Sequence, residues 1–73
     1  MIEIRLFATL RRDREKVYHF ASEEVSTGSE ALARLGIADE EVKIFLINGH
    51  HSALSDALGD GDIVSVFPAV GGG

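Results

Sequence analysis

The sequence contains no cysteine among its 73 residues. That excludes a disulfide staple and a thiolate metal site, fits a reducing compartment, and means that covalent chemistry must use something other than a thiol. No run approaches the roughly 18 apolar residues of a membrane-spanning helix, and no basic segment precedes a hydrophobic stretch. Neither a membrane span nor a signal peptide is expected, and the default location is cytoplasmic. Positive charge is scarce too: seven Lys and Arg against twelve Asp and Glu leave a net charge of −5. A nucleic-acid backbone would be repelled by such a body, whereas a basic partner surface would suit it. The imbalance is uneven, because residues 1–16 hold five of the seven bases and nine of the twelve acids lie beyond residue 22. There is room for one domain only, and a chain this small buries about 60% of its unfolded surface, so its core must be efficient.

A 45% hydrophobic content argues for a folded chain. Ile2, Ile4, Leu6 and Ala8 alternate with Glu3, Arg5, Phe7 and Thr9, the period of a half-buried strand. Arg11-Arg12-Asp13-Arg14 reads as an exposed turn, with a partner-binding patch of its three arginines as the alternative, and Val17, Tyr18 and Phe20 as the returning strand of a hairpin over residues 1–21. Thr27 and Glu30 have capping-box spacing, Ala31, Leu32 and Leu35 share one face, and Gly36 stands where a left-handed helix end is wanted. Such a short helix needs a sheet to lie on. Val42 to Ile47 predicts a strand, expected to be central and covered on one face, and Asn48-Gly49 predicts a tight hairpin into a short strand at His50-His51. Leu54 and Leu58 are spaced for one helical turn, Asp60-Gly61 makes a second tight turn, and Asp62–Phe67 is expected as a last strand stopped by Pro68. Strands with a single helix on one face predict an α+β domain.

Side chains capable of independent chemistry are few. His50 and His51, as neighbours on a strand, point to opposite faces and do not chelate one ion easily. Asp56, Asp60 and Asp62 lack the ligand ladder of a calcium loop, and Asp39-Glu40-Glu41 reads as a solvated loop. No nucleophile elbow is identifiable, and no glycine-rich loop stands between a strand and a helix. No metal site, bound cofactor or independent active site is therefore expected.

The exception is the tail. Pro68-Ala69-Val70-Gly71-Gly72-Gly73 ends in three glycines with no helix signal after Pro68. A glycine run reads either as a frayed end or as a tail presented to a partner. Without Cβ atoms it can enter a narrow channel, and six extended residues reach about 20 Å at most. The expected division is a body over residues 1–68 and a flexible tail over 69–73.

The stretch from Leu58 to Val70, Leu-Gly-Asp-Gly-Asp-Ile-Val-Ser-Val-Phe-Pro-Ala-Val, with its terminal glycines, resembles the end of the MoaD/ThiS sulfur carriers. The strand Val42–Ile47 with Asn48-Gly49 is similar to theirs as well. The resemblance implies a ubiquitin-like β-grasp fold, a mixed sheet of about four to five strands with one short helix on one face. Phe67-Pro68-Ala69-Val70 looks most like the small subunit of molybdopterin synthase. The chain departs from that subfamily at Ala69, where a second proline is common, and at Gly71, where alanine is common. Its length and short helix are closer to the thiamine carrier.

The resemblance implies that a ubiquitin-activating-type adenylyltransferase uses ATP to convert the Gly73 carboxylate to an acyl-adenylate. A persulfide sulfur donor would then leave a thiocarboxylate on Gly73. The large subunit of molybdopterin synthase would receive the tail, with Phe67, Pro68, Val70, Gly71 and Gly72 as partner contacts; Phe67 could equally cap the core. Carriage for thiamine, another sulfur-containing cofactor or an amino acid stays open. So do a protein modifier joined through Gly73 to lysines and a plain binding module.

Overall fold

A computed structural model describes residues 1–69. The elements run β1 (Ile2–Leu6), β2 (Val17–Phe20), α1 (Gly28–Arg34), β3 (Val42–Ile47), β4 (His50–His51) and β5 (Ile63–Pro68), with short 3-10 turns at Ala8–Arg11 and Asp39–Glu41. One five-stranded sheet has the order β2-β1-β5-β3-β4. Its central pair, β1 and β5, is parallel, and the other pairs are antiparallel. The sheet is therefore mixed, with the single α-helix on one face. No helix among the described residues is long and apolar enough to cross a membrane.

Alternation along the strands separates the two faces. Ile2, Ile4 and Leu6 of β1 and Val64 and Val66 of β5 are almost wholly buried, together with Ala31, Leu32, Ile37, Phe45 and Val25. Each large side chain so buried contributes about 1.5–3 kcal/mol. The helix fits this core because of what begins and ends it. The Glu30 N–H donates to Thr27 Oγ1 at 3.2 Å, as the spacing predicts. The Glu30 carboxylate, however, accepts from the Ser26 N–H at 2.7 Å instead of from Thr27, one residue further back than a capping box requires. At the other end Ile37 N–H donates to Leu32 O (2.9 Å) and Gly36 N–H to Ala33 O (3.1 Å), with Gly36 at φ +75°. This is the double bond of a Schellman motif, and it folds Ile37 back beside Leu32. Gly28 lets the helix sit down on β3: a Cβ there would lie 2.3 Å from Phe45 Cζ.

The structure departs from the sequence reading in four places. Ala8 is not in the strand: its φ of 54° turns the chain out of the sheet. β5, not β3, is central, because the crossover places the last strand beside the first. Residues 54–58 form no helix. Leu54 O accepts from Ser29 N–H and Leu58 N–H donates to Ser26 O, so groups a helical turn would pair internally are engaged by the start of α1. Finally, Pro68 lies inside β5, opposite Val42. Phe7 N–H donates to Val66 O and Ala69 N–H to Glu41 O, so backbone alternation turns position 68 toward β1. There β1 has already left the sheet, and a residue without an N–H costs no ladder bond.

Candidate functional site

The end of β5 fixes where the tail begins. Pro68 pairs with Val42, and Ala69 is held by its N–H to Glu41 O at 3.1 Å. Val70, Gly71, Gly72 and Gly73 lie outside the described residues. The two sequence-predicted contacts within the described part fall on opposite sides of the sheet. Pro68 is buried on the helix side, where with Ala69 it lines a groove of about 830 Å³ between the β1–β2 connection and the end of α1. Phe67 is half-buried on the face without a helix.

That open face follows from strand register. Nearest the tail, Ile44 of β3 lies opposite Phe67 of β5, and Phe67 stacks on Phe7 with centroids 4.4 Å apart and an interplanar angle of 11°. The Arg11 guanidinium lies 5.3 Å from the Phe7 centroid, and Arg11 Nε donates to Leu6 O at 2.8 Å. The next row is His51, Leu46, Ser65, Arg5 and Val17. Farthest from the tail come Ile63, Glu3 and His19. Val17, Ile44 and Ile63 are 40%, 37% and 37% exposed, so this face keeps large apolar side chains at the surface. Exposed apolar groups arranged together mark an interaction surface more often than scattered ones do.

Charge is organised along the same rows. Glu3 accepts from Arg5 Nε at 2.5 Å and lies 3.3 Å from His19 Nε2, and these partners hold its carboxyl below the ordinary carboxylate range. The arginine-rich connection is less of a solvated turn than its composition predicts. Arg14 donates to the carbonyls of Leu10, Leu35 and Gly36, tying the hairpin loop to the end of the helix. Among the described residues no three His, Cys, Asp or Glu side chains are grouped to hold a metal ion. His51 sits in the middle row of the open face, and His50 pairs with Ile47 on the same two-residue strand.

Sequence reasoning missed Phe7 and Ile44, and reached Arg11 only through the alternative of an arginine patch. The available signal was the placement of apolar residues at outward strand positions: Phe7 falls out of phase with Ile2, Ile4 and Leu6, where a solvated face calls for polarity. The placement of Arg11 over Phe7 carried no signal of its own, because the 3-10 turn brings the two together.

A family model described as the ThiS family matches residues 4–73. The small archaeal modifier protein 3 of Haloferax volcanii is 36% identical, aligned over 99% of this chain and 98% of that protein. The crystal structure of SAMP1 from Haloferax volcanii superposes with a TM-score of 0.73 at 26% identity, covering 99% of this chain and 98% of that one. A complex of subunits 1 and 2 of molybdopterin-converting factor from Helicobacter pylori gives a TM-score of 0.64, also at 26% identity, covering 99% and 97%. The sheet order and single helix are those of the ubiquitin-like β-grasp fold.

Proposed function

This chain belongs to the ThiS family of ubiquitin-like sulfur carriers and modifiers, and from that membership we propose that its reactive group is the carboxylate of Gly73. The observation that carries the reading is the extent of the family match, which runs through the final glycine and so includes the Gly72-Gly73 end. A free carboxylate is a poor electrophile. Attack by a Gly73 oxygen on the α-phosphorus of ATP, in the site of a ubiquitin-activating-type adenylyltransferase, forms an acyl-adenylate and releases pyrophosphate. A persulfide sulfur then attacks the acyl carbon and AMP leaves. Cleavage of the resulting acyl disulfide by a thiol leaves the thiocarboxylate on Gly73. The chain supplies no thiol of its own to this sequence, since it has no cysteine.

The residues of the body serve docking. Phe67, with Phe7 and Ile44, offers an apolar row at the root of the tail, while Pro68 is paired with Val42 and Ala69 is held to Glu41 O. Gly71 and Gly72 give the partner close backbone access. ATP is consumed by the partner, and we propose that the work is done in the cytoplasm. As the receiving protein we propose a large synthase subunit of the molybdopterin type, for which the likeness to the Helicobacter pylori complex speaks.

A second reading is favoured by a different observation, the 36% identical relative that is a small archaeal modifier protein. In it a lysine amine attacks the same activated carbonyl, AMP leaves, and an isopeptide bond joins Gly73 to a target. Intact-protein mass spectrometry after incubation with the adenylyltransferase, ATP and a persulfide donor separates the two. Carriage predicts the mass gain of one oxygen replaced by sulfur, and modification predicts adducts of this chain on other proteins in an extract. Neither product, with an enzyme active on another carrier, would contradict both.

A further inference from the structure

We propose that Arg11 is a preset anchor for a carboxylate on the activating enzyme, and that it sets which partner the open face accepts. The inference rests on the reading that the tail is adenylated. Among the cationic side chains near the tail, Arg11 alone combines a fixed position with unengaged donors among the described residues. Its Nε donates to Leu6 O at 2.8 Å and its guanidinium covers the Phe7 ring at 5.3 Å, so its plane is set from two directions. The terminal nitrogens of that exposed fork meet no carboxylate within 4.0 Å among the described residues.

The neighbouring cations differ. Arg14 is committed to three backbone carbonyls, Arg34 to Glu24 O, and Arg5 to Glu3. Arg12 is exposed without a comparable hold.

The local chemistry defines the partner. A guanidinium held flat offers two parallel donors, which match one carboxylate better than any neutral acceptor, and little freedom is lost on binding. Beside it Phe7, Phe67 and Ile44 form an apolar strip. The fitting surface is therefore an Asp or Glu flanked by an apolar side chain; although the whole chain carries −5, five of its seven bases lie within residues 1–16, where Arg11 stands. This charge-assisted contact lies beside the tail's root, where it holds the docked body on the enzyme.

The test is ATP–pyrophosphate exchange by the adenylyltransferase against concentration of the full chain, at low and high salt, for wild type, Arg11→Ala, Arg11→Lys and Arg11→Glu. At low salt the expected rise in KM is on the order of tenfold for Arg11→Ala, larger for Arg11→Glu and smaller for Arg11→Lys, with kcat nearly unchanged. High salt should shrink these differences. Melting curves of the variants run alongside. A KM that rises only in parallel with lost stability, and equally at both salts, would reduce Arg11 to a prop for Leu6 and overturn the inference. Unchanged KM in all three variants would overturn it as well. If wild type itself supports no exchange, the adenylation reading falls and takes the inference with it.

Discussion

The two faces of this sheet are built from the same strands and do opposite things. On the helix side Ile4, Leu6, Val64 and Val66 are at most 1% exposed. On the other side their immediate neighbours, Phe7, Ile63 and Phe67, keep apolar surface in water, joined by Val17 and Ile44. A strand changes face at each residue, so a single step along β5 moves from core to surface. Stability resides in one set of alternate positions, and the proposed docking surface uses the other set. The Phe7–Phe67 stack lies at the far end of that second set, where β5 runs on into the tail.

Substitutions on either side sharpen this contrast. Ile4→Ala should be the most damaging to the fold, lowering unfolding free energy by about 2–5 kcal/mol through lost transfer energy and a cavity. Chemical denaturation would show it; a loss below about 1 kcal/mol would mean that the covered face is not the core that its burial indicates. Gly28→Ala comes next, at about 1–3 kcal/mol, because the added Cβ must displace the Phe45 ring that it would meet at 2.3 Å. A melting temperature equal to wild type would show that the helix can lift from β3 without cost.

On the open face the ordering reverses. Ile44→Ser should cost about 1 kcal/mol, well short of Ile4→Ala, since the side chain is already 37% exposed. It should nevertheless raise the KM of the chain for its adenylyltransferase several-fold. A large stability loss with unchanged KM would assign Ile44 to folding after all.

The smallest effect concerns acid. Glu3 has its carboxyl lowered from the ordinary value of 4.5, first by the hydrogen bond from Arg5 and then by His19. The folded state therefore binds that proton more weakly than the unfolded state. The contribution is present above the ordinary value and fades as pH falls through the lowered one. Stability against pH should accordingly drop slightly more steeply below pH 4.5 in wild type than in Glu3→Gln. Parallel curves would show that the network on the far row is without consequence.

Much of this architecture was legible in the sequence because it is local. The alternation of β1, the Thr27 cap, the Gly36 helix end and the Asn48-Gly49 turn each depend on residues close in the chain. They occur as the spacing predicts. What was not legible depends on distant partners. The path of residues 54–58 is set by Ser26 and Ser29, the commitment of Arg14 by carbonyls at the end of α1, and the central place of β5 by its crossover to β1. Phe67 was legible as a candidate contact, but Phe7, Arg11 and Ile44 become its neighbours only once three strands are aligned.

The most direct test removes Gly72 and Gly73 and follows two quantities on the same sample, thermal unfolding and ATP–pyrophosphate exchange with the adenylyltransferase. The β-grasp body should melt as wild type does, because the core among the described residues is built between Ile2 and Val66, and exchange should disappear. Exchange that persists at the wild-type rate would place the activated group somewhere other than the end of the tail.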